Sequence, residues 1–323
     1  MEYRRLGRTG LKVAPLCLGG NVFGWTADEP TSHAVLDAYA EAGGNFIDTA
    51  DVYSRWAAGH VGGESELVLG RWLAARGNRD QIIVATKAAS PMGDGPNEKG
   101  LSRRHIMAAA EASLRRLGTD YIDLYQAHWD DADTPQDETL RAFDDLVSQG
   151  KALYIGASNF SAWRLTRALW TSDRGRYVRY ESLQPHYNLA YRAEYERELE
   201  PLIRDQEVGV IPYSSLASGF LTGKYRRGQT LPATPRAEGV AKRHMNDRGF
   251  AILEAVDRVA FAHDATPSQV ALAWLIARPG ITAPIASATS VTQMRELLGA
   301  VELRLEPAEI QALDSAGDWR EPR

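Results

Sequence analysis

Apolar runs of strand length alternate with helix-patterned segments along almost all of this 323-residue chain, and that alternation leaves few folds open. The runs are Leu16 to Gly19, Asn45 to Ile47, Ile82 to Thr86, Ile122 to Tyr125, Tyr154 to Gly156, Ser182 to Gln184, Gly209 to Pro212 and Ala283 to Ala286. A strand followed by a helical crossover returns parallel to itself, so eight such units predict a (β/α)₈ TIM barrel, with residues 1–323 as a single domain. Helix boundaries agree with this count. Thr266-Pro267-Ser268-Gln269 reads as a capping box, Asp133-Thr134-Pro135 as a cap with proline at the first helical position, and Ser102 and Ser161 as further caps. Glycines at 43, 44, 77, 118 and 150 follow helical stretches, where a left-handed residue ends a helix.

Two segments break the alternation. Residues 1–15 predict an N-terminal hairpin around Arg8-Thr9-Gly10 that closes the amino-terminal end of the barrel. Residues 216–247, after the seventh strand, are rich in glycine, proline and arginine. They are too long for an ordinary connection, which marks them as a ligand-covering segment. The tail after Pro307 reads as a short helix, with Trp319 folded back on the body.

Composition narrows the partners. With a net charge of −5 and scattered basic residues, the chain shows no patch for nucleic acid or an anionic membrane, and a small-molecule ligand is expected. The lone Cys17 excludes an internal disulfide, and without a CxxC pair or an HExxH motif no metal is expected. The opening MEYRRLGRTG lacks the apolar core of a signal peptide, and no run approaches a membrane span, so a cytoplasmic location is expected. Oligomeric state is not legible.

Four words end an apolar run with a polar residue: FIDTADVY, IIVATK, YIDLYQAH and YIGASNF. They place Asp48, Tyr53, Lys87 and His128 at the carboxyl ends of successive strands, which face the ligand crevice in a parallel α/β fold. A carbonyl accepting hydride builds negative charge on oxygen and needs a proton donor there. Tyr53 is that donor; Lys87 is the cation expected to lower its pKa, Asp48 neutralises the lysine, and His128 orients the substrate oxygen. Singly, each residue reads more plainly as a cap, a solvated lysine or a packed ring, but together at neighbouring strand ends they favour a site.

At this point the chain resembles the aldo-keto reductase superfamily, in its bacterial branch related to potassium-channel β subunits. The similarity runs from RxLGRTGLKV through GGNxFG, FIDTADVYS, ATK, IDLYQAHWDD, GASNFS, QPHYN, PYSSLASGFLTGKY and IASATSVTQ. The resemblance implies a nicotinamide cofactor and a catalytic tetrad of Asp48, Tyr53, Lys87 and His128. It assigns Ser158, Asn159 and Gln184 to the carboxamide and Tyr213 to stacking on the nicotinamide. The segment Ser214 to Lys224, with Leu216 and Gly219, goes to the pyrophosphate, and Ser287, Thr289 and Gln293 to the adenosine end. The chain departs from a common family pattern in having no charge between Ile281 and Met294, where many members carry a base for the 2′-phosphate of NADP. NADPH is favoured by family habit, with NAD possible.

For the substrate, a small carbonyl or sugar-like molecule, aromatic residues near the strand ends supply walls: Trp25 and Trp129 foremost, with Trp56 and Tyr187 as further positions. The reading is therefore an aldehyde or ketone reductase. Two alternatives stand beside it: a barrel lyase or isomerase using Lys87 as a Schiff-base amine, and a cofactor-binding regulatory subunit of a membrane partner.

Overall fold

The computed structural model describes residues 1–320. Strands β1 (Arg4–Arg5) and β2 (Lys12–Val13) form an antiparallel hairpin. Strands β3 (Cys17–Gly19), β4 (Phe46–Asp48), β5 (Ile83–Ala88), β6 (Ile122–Ala127), β7 (Ala152–Ser158), β8 (Tyr180–Gln184), β9 (Gly209–Val210) and β10 (Ile285–Ala286) form one parallel eight-stranded sheet. Its order is β10-β3-β4-β5-β6-β7-β8-β9, so each strand pairs with the next in sequence and the last returns to the first. Thr282 N donates to Val210 O at 2.8 Å and Ile285 N to Pro212 O at 2.9 Å, so the segment entering β10 also reaches β9. The sheet curls back on itself, consistent with the expected (β/α)₈ barrel.

Every residue of β5 and β6 is buried, because one face of the sheet looks inward and the other is covered by helices. Side chains alternate between the two. Phe46, Ile83, Ala85, Leu124 and Ile211 pack inside with Leu6 and Val13 of the hairpin, while Ile47, Val84, Ile122, Tyr125 and Leu183 pack against the helical layer. The inward rows are apolar at the amino end and turn polar at the carboxyl end: Phe46 to Asp48, Ala85 to Lys87, Leu124 to Gln126 and His128. Strands β5, β6 and β7 run two residues beyond the expected ends at Thr86, Tyr125 and Gly156, because those polar residues remain in the ladder, with Lys87 paired to Gln126 and Ser158 to Gln184.

The hairpin seals the amino-terminal end as expected. A Cβ on Gly7, at φ +53°, would lie 2.3 Å from Glu181 O, so only glycine allows the hairpin to approach β8 this closely. The Thr266 capping box and the Ser102 cap form. Two expected caps do not. Pro135 itself occupies the cap position of the helix Gln136–Ser148, and the Thr134 hydroxyl is committed instead to Asp131 Oδ2 at 2.7 Å. Ser161 precedes the helix Ala162–Gly175 with cap-like backbone angles but no side-chain bond. At the tail, the helix Pro307–Ala316 is followed by Trp319, whose Nε1 donates to Glu196 Oε2 at 2.8 Å.

Leu6 is fully buried where the hairpin enters the sheet. Leu6→Ala should therefore cost about 2–5 kcal/mol, read as a lower urea midpoint at unchanged slope.

Candidate active site

The inward rows of β4, β5 and β6, with the turn after β4 that carries Tyr53, bring the four expected residues together. Lys87 Nζ donates to Asp48 Oδ2 at 2.7 Å, to Tyr53 Oη at 2.8 Å and to Thr49 O at 2.9 Å. Asp48 and Lys87 are 1% and 0% exposed, a buried ion pair whose remaining valences are filled. Gln184 Nε2 (2.8 Å) and Gln126 Nε2 (3.2 Å) both donate to Asp48 Oδ1. The Tyr53 and His128 rings meet edge to face at 5.8 Å, and both line a cavity of about 320 Å³ at the carboxyl end of the sheet.

The electrostatics differ from expectation at Tyr53. Burial, reinforced by the charge of Asp48, pushes its phenol well above the usual tyrosine value, so it stays protonated at neutral pH. Asp48 already neutralises the ammonium that was expected to lower it. Burial, with the Lys87 charge behind it, holds His128 well below the usual histidine range, so the imidazole is neutral. The floor of the cavity thus presents a protonated phenol backed by an ammonium, beside a neutral imidazole.

The residues assigned to a nicotinamide by resemblance surround the same cavity. Ser158 Oγ donates to Gln184 O at 2.9 Å. Asn159, in a left-handed conformation at φ +58°, donates Nδ2 to His128 O at 2.9 Å and accepts from Tyr213 Oη at 2.8 Å through Oδ1. Gln184 spends its amide nitrogen on Asp48, which leaves its carbonyl oxygen for a ligand. Tyr213, Ser214, Leu216, Gly219 and Ser287 complete this wall.

A second cavity of about 500 Å³ adjoins the first, sharing Leu216, Ser218, Arg236 and Ser287, and reaches Lys224, Thr289 and Gln293. The two form an elongated trough beneath the segment 216–247, which folds into a 3₁₀ turn at Ala217–Thr222 and a helix at Ala237–His244. Gln293 Oε1 accepts from Thr289 N at 2.9 Å and Thr289 Oγ1 at 3.0 Å. Lys224 and Arg236 pair with no carboxylate among the described residues, and burial lowers the pKa of each. Arg236 lies over the Trp25 ring at 5.7 Å. It lies outside the uncharged Ile281 to Met294 stretch, just before the helix Ala237–His244, and only the fold brings it to this wall.

Among the aromatics, Trp129 stacks on His128 at 5.8 Å and lines the first cavity with Trp56, each 50% exposed. Trp25 stands one ring further out, edge-on to Trp56 at 5.6 Å, and lines the adjoining cavity. Tyr187 is a core residue: fully buried, it packs on Tyr195 and Trp274 and donates to Glu196 at 2.8 Å. Gln126 and Asn21, not singled out from sequence, also belong here. Gln126 holds Asp48, and Asn21 Oδ1 accepts from Ser287 Oγ at 2.6 Å. The period of two was the available signal for Gln126, which shares the inward row with His128.

Known proteins resemble this chain in sequence over most of its length. The sequence model of the Aldo/keto reductase family matches residues 15–318. This chain belongs to that family. It is 38% identical to "Uncharacterized oxidoreductase YrpG" of Bacillus subtilis (strain 168), over 97% of this chain and 95% of the relative. "Probable voltage-gated potassium channel subunit beta" of Arabidopsis thaliana is 36% identical over 94% of this chain and 92% of its own length. "Versiconal hemiacetal acetate reductase" of Aspergillus parasiticus is 34% identical over 97% and 96%. Aldo/keto reductases use nicotinamide cofactors generally, and the trough is read below on that basis.

Four histidines of this aldo/keto reductase are held below their ordinary value mainly by burial: His128, His105, His244 and His186, the last at about 4. Between those values and about 6.5 the unfolded chain binds more protons than the folded one. The stability these neutral rings contribute is complete above about pH 6.5 and is lost as pH falls toward 4. The urea midpoint should accordingly be lower at pH 5 than at pH 7.5; an equal or higher midpoint at pH 5 contradicts the assignment.

Proposed function

We propose that this protein is a nicotinamide-dependent reductase of aldehydes or ketones, built as one (β/α)₈ barrel domain, with Tyr53 as general acid. The observation that carries the reading is the triangle of Tyr53 Oη, Lys87 Nζ and Asp48 Oδ2 at the floor of a cavity, with lysine contacts of 2.8 and 2.7 Å. A carbonyl oxygen held at Tyr53 receives its proton as negative charge develops. The ammonium of Lys87 then stabilises the phenolate left behind, and Asp48 keeps that ammonium in place. His128, neutral, donates a hydrogen bond that orients the same oxygen without competing for the proton. In the opposite direction the same groups withdraw the proton of an alcohol.

The trough suits a dinucleotide. One face of Tyr213 lines the cavity, and Ser158, Asn159 and the Gln184 carbonyl lie beside it. At Gly219, with φ +94°, a Cβ would come within 3.2 Å of Lys224 Nζ, so glycine keeps that cation accessible. Lys224 and Arg236 are available for phosphate groups, with Ser287 where the two cavities meet and Thr289 and Gln293 at the far end. A reduced nicotinamide bound in this trough supplies the hydride. NADPH is the favoured form, with Arg236 supplying the charge missing between Ile281 and Met294.

The rival use of Lys87 as a Schiff-base amine fits poorly, since its ammonium already donates to three acceptors and is fully buried. The relatives named as potassium channel subunits support a second reading, a cofactor-binding subunit, and the complete acid constellation favours the enzyme over it. A carbonyl panel assayed beside pull-down of a membrane partner separates the two.

Tyr53→Phe keeps the ring and removes the proton, so kcat for carbonyl reduction should fall by about 10²–10⁴-fold with cofactor Kd unchanged. In the wild type the reduction rate should hold level from pH 7 to about 10, because the acid stays protonated there; an alkaline fall centred below pH 8 contradicts this. Arg236→Leu should raise KM for NADPH by roughly 10- to 100-fold, the loss of one charge-assisted contact, and affect NADH far less. Equal effects on the two cofactors would move the 2′-phosphate contact elsewhere.

A further inference from the structure

Tyr213 begins a stack that continues away from the active site. Its ring lies 5.2 Å from His186 at 19°, and His186 lies 4.0 Å from Tyr191 at 12°. The His186 ring is held by stacking more than by hydrogen bonding, for its contact with Asn188 Nδ2 is 3.5 Å long. Asn188 organises both ends of the stack. Its Nδ2 donates to Ser214 O at 2.9 Å, directly after Tyr213, and its Oδ1 accepts from Tyr191 N at 2.9 Å. At the tip, Tyr213 Oη is fixed by Asn159.

Behind this wall is space. A cavity of about 420 Å³ lies on the far side of Tyr213, lined in part by Asn159, His186, Tyr191 and Tyr213 themselves. Without His186, the Tyr213 ring would have room to tilt backward, away from the site. A histidine held at a pKa of about 4 by burial is a neutral flat ring at neutral pH, suited to stacking between two phenols without adding a charge.

We infer that His186 is a positioning residue that backs Tyr213 and fixes the plane on which the nicotinamide stacks. The inference rests on the nicotinamide reading given above. It requires a flat ring at position 186 and no proton transfer there. A planar replacement therefore serves, and a branched aliphatic one of similar bulk does not.

The test measures NADPH Kd by fluorescence, kcat at saturating cofactor, and the thermal midpoint for wild type, His186→Leu, His186→Phe and Tyr191→Leu. His186→Leu should weaken NADPH binding about tenfold, the scale of a lost aromatic pair, with kcat within about twofold of wild type. His186→Phe should restore wild-type binding, and Tyr191→Leu, which removes only the outer ring, should show a smaller loss in the same direction. Should His186→Leu fail to fold, the Phe and Tyr191 variants still decide. Binding unchanged in His186→Leu or in Tyr191→Leu, or lost in His186→Phe while its thermal midpoint is retained, overturns the inference. Wild-type protein that binds neither NADPH nor NADH overturns the proposed function instead.

Discussion

The carboxyl end of the sheet is organised around one buried ammonium. Lys87 has no exposed surface, and removing such a charge from water costs several kcal/mol unless it is paired and hydrogen-bonded. Asp48, Thr49 O and Tyr53 Oη meet that demand with three short contacts, and Gln126 and Gln184 in turn satisfy the other carboxylate oxygen. Strands β4, β5, β6 and β8 are thus tied through one carboxylate. The phenol completes the lysine's coordination, so a structural requirement of the buried charge also sets the proposed proton donor at the cavity floor.

Around this centre the walls are built from rings held by rings. Trp129 lies on His128, Trp56 beside Tyr53, Trp25 on Trp56, and His186 behind Tyr213. Stacked side chains present apolar faces to the cavity, while their few polar tips are fixed to neighbours, as Tyr213 is to Asn159. Of the two cations of the trough, which have no carboxylate partner among the described residues, Lys224 lines the adjoining cavity and Arg236 stands where the two cavities meet.

The hairpin and the 216–247 segment divide the labour between the two ends of the sheet. Leu6 and Val13 fill the amino-terminal end with apolar packing. The long segment lies over the carboxyl end and contributes Ser218, Lys224 and Arg236 to the trough.

The sequence by itself determined the element order and the polar strand ends, because a period of two along each strand is local. An inward row that begins with Ile83 and Ala85 places Lys87 inward, whatever the sheet later does. Asp48 and His128 were legible from their strand ends, whereas Ser158 and Gln184 were assigned through the family resemblance. Only the tertiary structure decided the charge state of Tyr53, because that depends on burial and on Asp48 having already neutralised Lys87. It also decided that Tyr187 is core while Trp56 lines the cavity, and that Arg236 lines the same cavity as Thr289 and Gln293. Those outcomes depend on which distant segments pack together, and no local pattern of residues encodes the distance between two side chains 136 positions apart, such as Asp48 and Gln184.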